Sequence, residues 1–300
     1  MFSNVFTSLR ASFRSNPQLA AIGYILISTT GFSAMSTGVR LVSPELHATL
    51  IVTLRNFLTL ALMLPWVLKS RGTAIRTERL SEHAWRGCIG AIGMITWTYA
   101  LTIMPLAHAT ALSFTAPLFS TLFAILFLKE KADTARWLAL ILGFTGALII
   151  INPGGDVFDW KALVVIFATS SWAITGMFVK SLSGTEPALR MVFYMNFFML
   201  LIATPFGIAH WEWPSLHAWG VLLLIACCSI IMHFSMARAY SLAPVVTLMP
   251  FDFTRLITTA LFAYLLFGEG TETRSWLGAA IIILSAIAMA RRDVKTPPIG

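Results

Sequence analysis

Ten long apolar segments are the feature that most constrains how this chain can fold. They lie at approximately 19–41, 46–68, 86–104, 107–128, 136–151, 161–181, 188–208, 217–238, 245–267 and 275–290. About twenty apolar residues in a helix cross the hydrocarbon core of a bilayer. Charged residues make up only 11% of the chain and hydrophobic residues 57%, whereas soluble domains are about a quarter charged. The sequence therefore predicts an all-α polytopic membrane protein with ten transmembrane helices, and it excludes an ordinary soluble domain.

The distribution of basic residues predicts the orientation of these segments. With the N-terminus in the cytoplasm, 3 of the 21 basic residues fall at outside ends, 2 lie within the membrane, and 21 − 3 − 2 = 16 fall inside. The inside set is Arg10, Arg14, Lys69, Arg71, Arg76, Arg79, Arg86, Lys129, Lys131, Arg136, Lys180, Arg190, Arg238, Arg291, Arg292 and Lys295. Cytoplasmic loops carry such an excess. We therefore expect a multi-pass protein of a bacterial-type inner membrane with both termini cytoplasmic, and no nucleic-acid partner.

An internal repeat divides the chain in two. At an offset of 139–140 residues, Phe114-Thr115 matches Phe253-Thr254 and Trp137-Leu138 matches Trp276-Leu277. The predicted organisation is a tail over 1–18, a first five-helix repeat over 19–152, a second over 160–290 and a tail over 291–300. Five crossings are an odd number, so the two repeats are expected to be inverted relative to each other. Inverted repeats commonly hold a binding site between them and expose it alternately to either side.

Several short motifs resemble a known family. The sequence Ala-Pro-Leu-Phe occurs at 116–119, Phe-Leu-Lys-Glu at 127–130 and Leu-Phe-Gly-Glu at 266–269, before Trp276-Leu277-Gly278. This pattern resembles the EamA-type unit, and two such units resemble the ten-helix drug/metabolite transporter superfamily. The resemblance implies a central cavity lined by helices 1–4 and 6–9. Residues 93–105 are similar to transporters of S-adenosylmethionine, and residues 250–256 to bacterial members that include riboflavin carriers.

Charged and polar residues inside the apolar segments are candidate substrate-binding residues. Asp252 and Arg255 are three positions apart in the ninth segment, so they share one helical face. A charge at the centre of a lipid-facing helix costs roughly 2.5–3.5 kcal/mol, so both are expected to face the interior. Arg55 is a candidate for binding a carboxylate or phosphate or for pairing with Asp252. His233 is a candidate proton relay. For each of them, a purely structural ion pair or hydrogen bond is the alternative.

Aromatic residues and helix-end acids complete the set of candidates. Trp97, Tyr99, Phe114 and Tyr240 offer flat surfaces for a planar or cationic substrate, with ordinary packing as the alternative. Pro117 and Pro250 are expected to kink their helices. Glu130 and Glu269 match in the repeat and are interpreted as loop anchors. Gly31 and Gly38 are expected to allow close helix approach.

These observations favour a secondary transporter. Its predicted action is to move a small organic metabolite across the inner membrane by alternating access, the solute being an amino acid or resembling S-adenosylmethionine or riboflavin. An integral membrane enzyme acting on a lipid-linked substrate and a channel are the alternatives. No catalytic constellation, metal-ligand spacing or cofactor motif is found in the sequence. The expected partners are the substrate, the lipid bilayer and, as a candidate, a coupling proton.

Overall fold

Helices account for the regular secondary structure wherever the chain is described. The computed structural model describes residues 17–127, 134–151, 160–182, 185–243, 248, 251–270 and 272–295. The helices are α1 (Pro17–Val42), α2 (Ala48–Lys69), α3 (Leu80–Ile103), α4 (Leu106–Ser113), α5 (Ala116–Phe127), α6 (Thr134–Ile151), α7 (Lys161–Leu182), α8 (Ala188–Ala209), α9 (Leu216–Leu242), α10 (Thr254–Phe267) and α11 (Thr273–Lys295), with a 3-10 turn at Thr73–Ile75. The all-α prediction is confirmed for these residues. Both tails, Glu130 and Pro250 lie outside them, apart from the ends of the tails that extend into α1 and α11.

The outer surface of the bundle is apolar. Five stretches are long and apolar enough to cross a membrane, namely Pro17–Val42, Ala48–Lys69, Lys161–Val179, Ala188–Ala209 and Leu216–Tyr240. The shorter helices also expose large apolar side chains, among them Ile141 and Leu142 of α6 and Ile257 and Leu265 of α10. Soluble monomers rarely expose continuous apolar surface on this scale. Such a surface is suited to lipid.

Two helices are interrupted at positions that match in the repeat. The fourth apolar segment forms two helices, because α4 ends at Ser113 and α5 begins at Ala116. In the ninth, residues 251 and 252 are helical, and a turn at Phe253 precedes α10. The hydroxyl of Thr115 donates to the Leu112 carbonyl (2.8 Å), and that of Thr254 donates to the Phe251 carbonyl (2.6 Å). In the first interruption, Pro117 also lacks the N–H that the Ser113 carbonyl would need to continue the helix.

Helices of the two halves pack against each other in pairs. The pair α1 and α9 corresponds in the repeat to α7 and α3, and both pairs are in contact; α2 also packs on α8 and α6 on α11. Glycine allows two of these approaches. A Cβ at Gly38 would lie 2.7 Å from Cγ1 of Ile225 in α9, and one at Gly146 would lie 2.8 Å from the Gly278 carbonyl oxygen in α11. The expected close approach at Gly38 is therefore confirmed.

Two glutamates tie connections to helix ends. Glu269 pairs with Arg40 at the end of α1 (3.1 Å) and accepts a hydrogen bond from the backbone N–H of Leu106 (2.9 Å). This confirms the interpretation of Glu269 as a loop anchor. Glu186 accepts hydrogen bonds from Thr77 (2.6 Å) and Arg190 (2.9 Å). Burial alone would raise the pKa of Glu186. The two hydrogen-bond donors and the electrostatic effect of Arg190 and His83 instead hold this pKa below its ordinary value.

Candidate functional site

Five aromatic side chains meet between the two halves of the bundle. The ring centroids of Trp97 and Trp172 are 5.0 Å apart, and Phe32 lies 5.8 Å from Trp97 and 6.4 Å from Trp172. Phe114 and Phe253 meet edge to face at 5.0 Å. These five residues are called the aromatic cluster below. Its rings lie at the separations at which aromatic side chains attract each other.

The guanidinium of Arg255 connects the two parts of the aromatic cluster. Its Cζ lies 4.3 Å from the ring centre of Phe114 and 5.1 Å from that of Phe32. A cation over an aromatic face is attracted by the ring's quadrupole. Arg255 also pairs with Asp252 at 3.8 Å, across the turn at Phe253. The Arg255 side chain is 15% exposed and that of Asp252 35%, so the carboxylate is accessible from outside the packed interior.

Hydroxyl groups hold α10 against α1 beside this cluster. Ser33 of α1 is within hydrogen-bond distance of Thr258 (2.7 Å) and Thr259 (2.8 Å), and Thr29 is 3.1 Å from Thr254. Buried hydroxyls need such partners because an unsatisfied polar group is costly in an apolar interior. The Ser and Thr residues thereby fix the helix that carries Arg255.

Arg55 is buried without a counter-ion from the described part of the chain. It is 1% exposed, and its Nη1 lies 3.5 Å from the sulfur of Met35 and 3.6 Å from that of Met94. Its Nε has no hydrogen-bond partner among the described residues. No carboxylate lies within ion-pair distance of Arg55 in the part of the chain described above. The suggested pairing of Arg55 with Asp252 is therefore wrong for this structure, in which Asp252 pairs with Arg255.

Arg86 is a site candidate that the sequence reasoning misses. The sequence predicts a cytoplasmic loop position for it, because the predicted apolar segment begins at 86. However, α3 begins at Leu80, so Arg86 lies within the helix and is 7% exposed. Its Nη1 donates to the Met191 carbonyl of α8 (2.9 Å). His233 of α9 is half-buried.

The predicted aromatic residues separate into two groups. Trp97 and Phe114 belong to the aromatic cluster, and both are 1% exposed. Tyr240 is 37% exposed. Tyr99 is 40% exposed; it is two residues beyond Trp97 and so lies about 200° around the helix from it. The structure does not bring Tyr99 into the cluster.

Trp172 and Phe253 join the cluster without having been singled out as site residues. The repeat contains the signal that identifies them, because Trp172 matches Phe32 at an offset of 140 residues and Phe253 matches Phe114 at 139. Both matched pairs are in contact. Matched positions meet where the two halves face each other, which apolar periodicity alone does not indicate.

Comparison with known proteins identifies the family. The sequence profile of the EamA-like transporter family matches residues 19–152 and 159–291. The chain is 29% identical to an S-adenosylmethionine uptake transporter of Rickettsia bellii, over 91% of this chain and 94% of the relative. It is 34% identical to a riboflavin transporter of Brucella anthropi (80% and 86% covered) and 31% identical to one of Vibrio cholerae (95% and 97%).

A solved crystal structure has the same fold. It superimposes with a TM-score of 0.56 over 92% of this chain and 98% of its own, at 17% identity. The similar proteins named above are transporters rather than enzymes. Because the family profile covers most of the sequence in two units, the chain belongs to the EamA-like transporter family.

Proposed function

We propose that this protein is a secondary transporter that moves a small organic metabolite across the cytoplasmic membrane by alternating access. The observation that carries the proposal is the aromatic cluster with Arg255. Its matched pairs, Phe32 with Trp172 and Phe114 with Phe253, come from opposite halves and are in contact. A substrate bound beside them would touch both halves at once. Movement of one half against the other would then change which side of the membrane the substrate faces.

The proposed architecture is ten crossings arranged as two inverted five-helix units, over 19–152 and 160–290. The matched helix interruptions at 114–115 and 253 and the paired contacts of α1 with α9 and α3 with α7 support it. The bias of basic residues supports cytoplasmic termini. Discontinuous helices near the membrane centre are a common feature of transporter binding sites, because freed backbone groups become available to a ligand.

The proposed substrate has a planar ring system and a polar or charged end. Aromatic faces bind flat rings by stacking, and the paired Asp252 and Arg255 offer a polar environment next to them. The similar S-adenosylmethionine and riboflavin transporters suggest these two compounds as the first solutes to test. Both combine a fused heteroaromatic ring with a polar chain.

The test is flux into proteoliposomes that contain the purified protein. We expect saturable uptake of at least one of the two labelled solutes. Asp252→Asn and Arg255→Ala should each reduce it about tenfold or more, because a charge-assisted contact is removed. Arg76→Ala is the matched control, since Arg76 is exposed in the connection between α2 and α3.

Two results would overturn parts of the proposal. If flux rises linearly with solute concentration and single-channel currents are recorded, the protein acts as a channel. If flux saturates but both variants equal the Arg76→Ala control, the transporter proposal stands and the assignment of Asp252 and Arg255 to the site is wrong.

A further inference from the structure

Two histidines stack on each other at neighbouring ends of α2 and α8. The ring centroids of His47 and His210 lie 3.9 Å apart, and the ring planes differ by 12°. His47 is the N-cap of α2 and His210 is the C-cap of α8, so each half of the bundle contributes one ring. Both residues are exposed, at the end that the bias of basic residues assigns to the outside. The two helices approach closely here, because a Cβ at Gly207 would overlap the Thr53 side chain.

Hydrogen bonds hold both imidazoles in this stack. Nδ1 of His210 donates to the Phe206 carbonyl of α8 (3.0 Å), which also accepts from the hydroxyl of Thr49 in α2 (3.1 Å). Nδ1 of His47 lies 2.8 Å from the same hydroxyl and accepts from the backbone N–H of Thr49 (3.4 Å). The stack and these hydrogen bonds therefore form one contact between the two halves.

Protonation of both rings opposes this contact. Two imidazolium ions at such a short separation repel each other. A protonated Nδ1 of His47 can no longer accept from the Thr49 N–H, so α2 also loses its N-cap. Partial burial and the charge of His210 accordingly lower the pKa of His47, and the negative charge of Glu212 offsets part of this effect.

The other ionisable groups around the pair are few. The connection before α2 contributes Glu45, whose carboxylate accepts from the hydroxyl of Ser215 (2.9 Å). The connection after α8 contributes Glu212, and α9 contributes exposed His217. The last four turns of α8, residues 195–209, contain no ionisable side chain. Because carboxylates titrate at lower pH, a change between about pH 8 and pH 5 at this end acts on the histidines.

The opposite end of the same helix pair is joined by different groups. Arg190 of α8 donates to the Ala74 carbonyl beyond α2 (2.8 Å), and the hydroxyl of Tyr194 donates to the Ile75 carbonyl (2.6 Å). Guanidinium and phenol groups keep their protons between about pH 5 and pH 8. Acid therefore weakens the histidine contact at the outer end and leaves these two hydrogen bonds intact.

We propose that the stack of His47 on His210 is an acid-sensitive latch, which holds the outer ends of the two halves together until both rings are protonated. The separated ends then favour the outward-open state. The proposal rests on the proposed function, because it makes alternating access respond to the acidity of the outer medium. Since the stacked state binds the second proton more weakly than the separated state does, separation is favoured as the pH falls below about 6.5.

The first experiment needs no transported solute. Pulsed electron paramagnetic resonance measures the distance between spin labels at Pro44→Cys and Ile208→Cys, two exposed positions near the outer ends of α2 and α8. The full chain carries Cys88→Ser, Cys227→Ser and Cys228→Ser, because these cysteines are free. We expect the population with the longer distance to rise about threefold or more between about pH 7.5 and pH 5.5.

Matched variants assign this response to the stack. His47→Asn keeps an N-cap acceptor for α2 but cannot be protonated, so its distances should be the same at both pH values. His210→Gln should behave in the same way. His217→Gln removes an exposed histidine outside the stack and should respond like the parent chain. A response that persists in His47→Asn and His210→Gln, or that is absent from the parent chain, would overturn the latch.

The second experiment measures riboflavin uptake into proteoliposomes in which the outer end of the protein faces the external medium and the internal pH is held constant. Riboflavin stays uncharged over this range, so only the protein responds. A larger outward-open population lowers the KM in proportion. We expect the KM to fall about threefold between about pH 7.5 and pH 5.5 outside, and to stay constant in His47→Asn.

The two experiments separate failure of the latch from failure of the proposed function. Saturable uptake with a KM that is independent of external pH would refute the latch and leave the transporter proposal standing. Absence of riboflavin uptake, together with a spin-label response that requires His47, would count against riboflavin as the solute and leave the latch standing.

Discussion

Replacement of Arg55 by methionine should stabilise the ligand-free protein. In most proteins the loss of a buried arginine is destabilising, because its partners are left unsatisfied. Here the guanidinium is 1% exposed and contacts two thioether sulfurs, and its Nε has no partner within the described ranges. Methionine has a similar length and occupies the matching position, Met195, in the second repeat. The substitution removes a charge and leaves no carboxylate without a partner.

The expected gain follows from the cost of burying an ion. That cost is several kcal/mol per buried charge after relaxation, and apolar replacement of buried ionic groups stabilises by about 1–4 kcal/mol. The two sulfur contacts offset part of the penalty. We therefore expect Arg55→Met to raise the free energy of unfolding by about 1–3 kcal/mol. Arg55→Lys keeps the buried charge and should bring no gain.

The assay is thermal and chemical unfolding of purified protein in one detergent, without solutes that bind. Arg190→Met is the contrasting control, because Arg190 donates to Glu186 (2.9 Å) and to the Ala74 carbonyl (2.8 Å). Loss of the Arg190 side chain should lower the free energy of unfolding by about 1–3 kcal/mol, since the acceptors lose a charged donor. If Arg55→Met is destabilised as much as Arg190→Met, Arg55 braces the bundle, and the reasoning about an unbalanced charge is refuted.

Two further predictions concern packing and pH. A Cβ at Gly93 would lie 2.9 Å from Cβ of Ser171 and 3.1 Å from Cδ1 of Trp172. Gly93→Ala should therefore displace Trp172, lower the free energy of unfolding by about 1–3 kcal/mol and lower solute flux. The control is Gly220→Ala, where the added Cβ meets nothing within 4 Å, and equal flux in the two variants would contradict the prediction. The lowered pKa of Glu186 contributes stability that is present above its ordinary pKa of 4.5 and is lost as pH falls below that value. The free energy of unfolding, measured from pH 7 to pH 3, should therefore fall less steeply with decreasing pH in Glu186→Gln than in Glu78→Gln. The same pH dependence in both variants would contradict this prediction.

The apolar segments predict most helices closely, because a helix in an apolar environment must satisfy its own backbone and so extends as far as the apolar run. The predicted 188–208 and the observed Ala188–Ala209 illustrate this. The prediction is wrong at 107–128, which is divided by the turn at Phe114-Thr115. It also begins α3 too late, at 86 instead of Leu80. Hydropathy does not report either feature, because the turn is apolar and the first turns of α3 are polar.

The candidate site is only partly predictable, since its members come from distant segments. The local spacing of Asp252 and Arg255 suffices to predict their pairing, because Phe253 in the turn between them keeps helical backbone angles (φ −67°, ψ −15°) and so leaves the two side chains close together. The partners of Arg55 are not local. Met35 and Met94 reach it from two other helices, and the Arg86 guanidinium meets the Met191 carbonyl because α3 packs beside α8.

Composition, the spacing of apolar segments and the repeat are sufficient to establish a helical membrane protein of two related halves. These properties depend on transfer of side chains from water to lipid, which is additive along a chain and therefore readable from it. The meeting of Phe32 with Trp172 and the isolation of Arg55 from every described carboxylate depend on packing between helices. Packing joins residues more than a hundred positions apart, so only the folded bundle reveals which of the rare described charges are paired with each other.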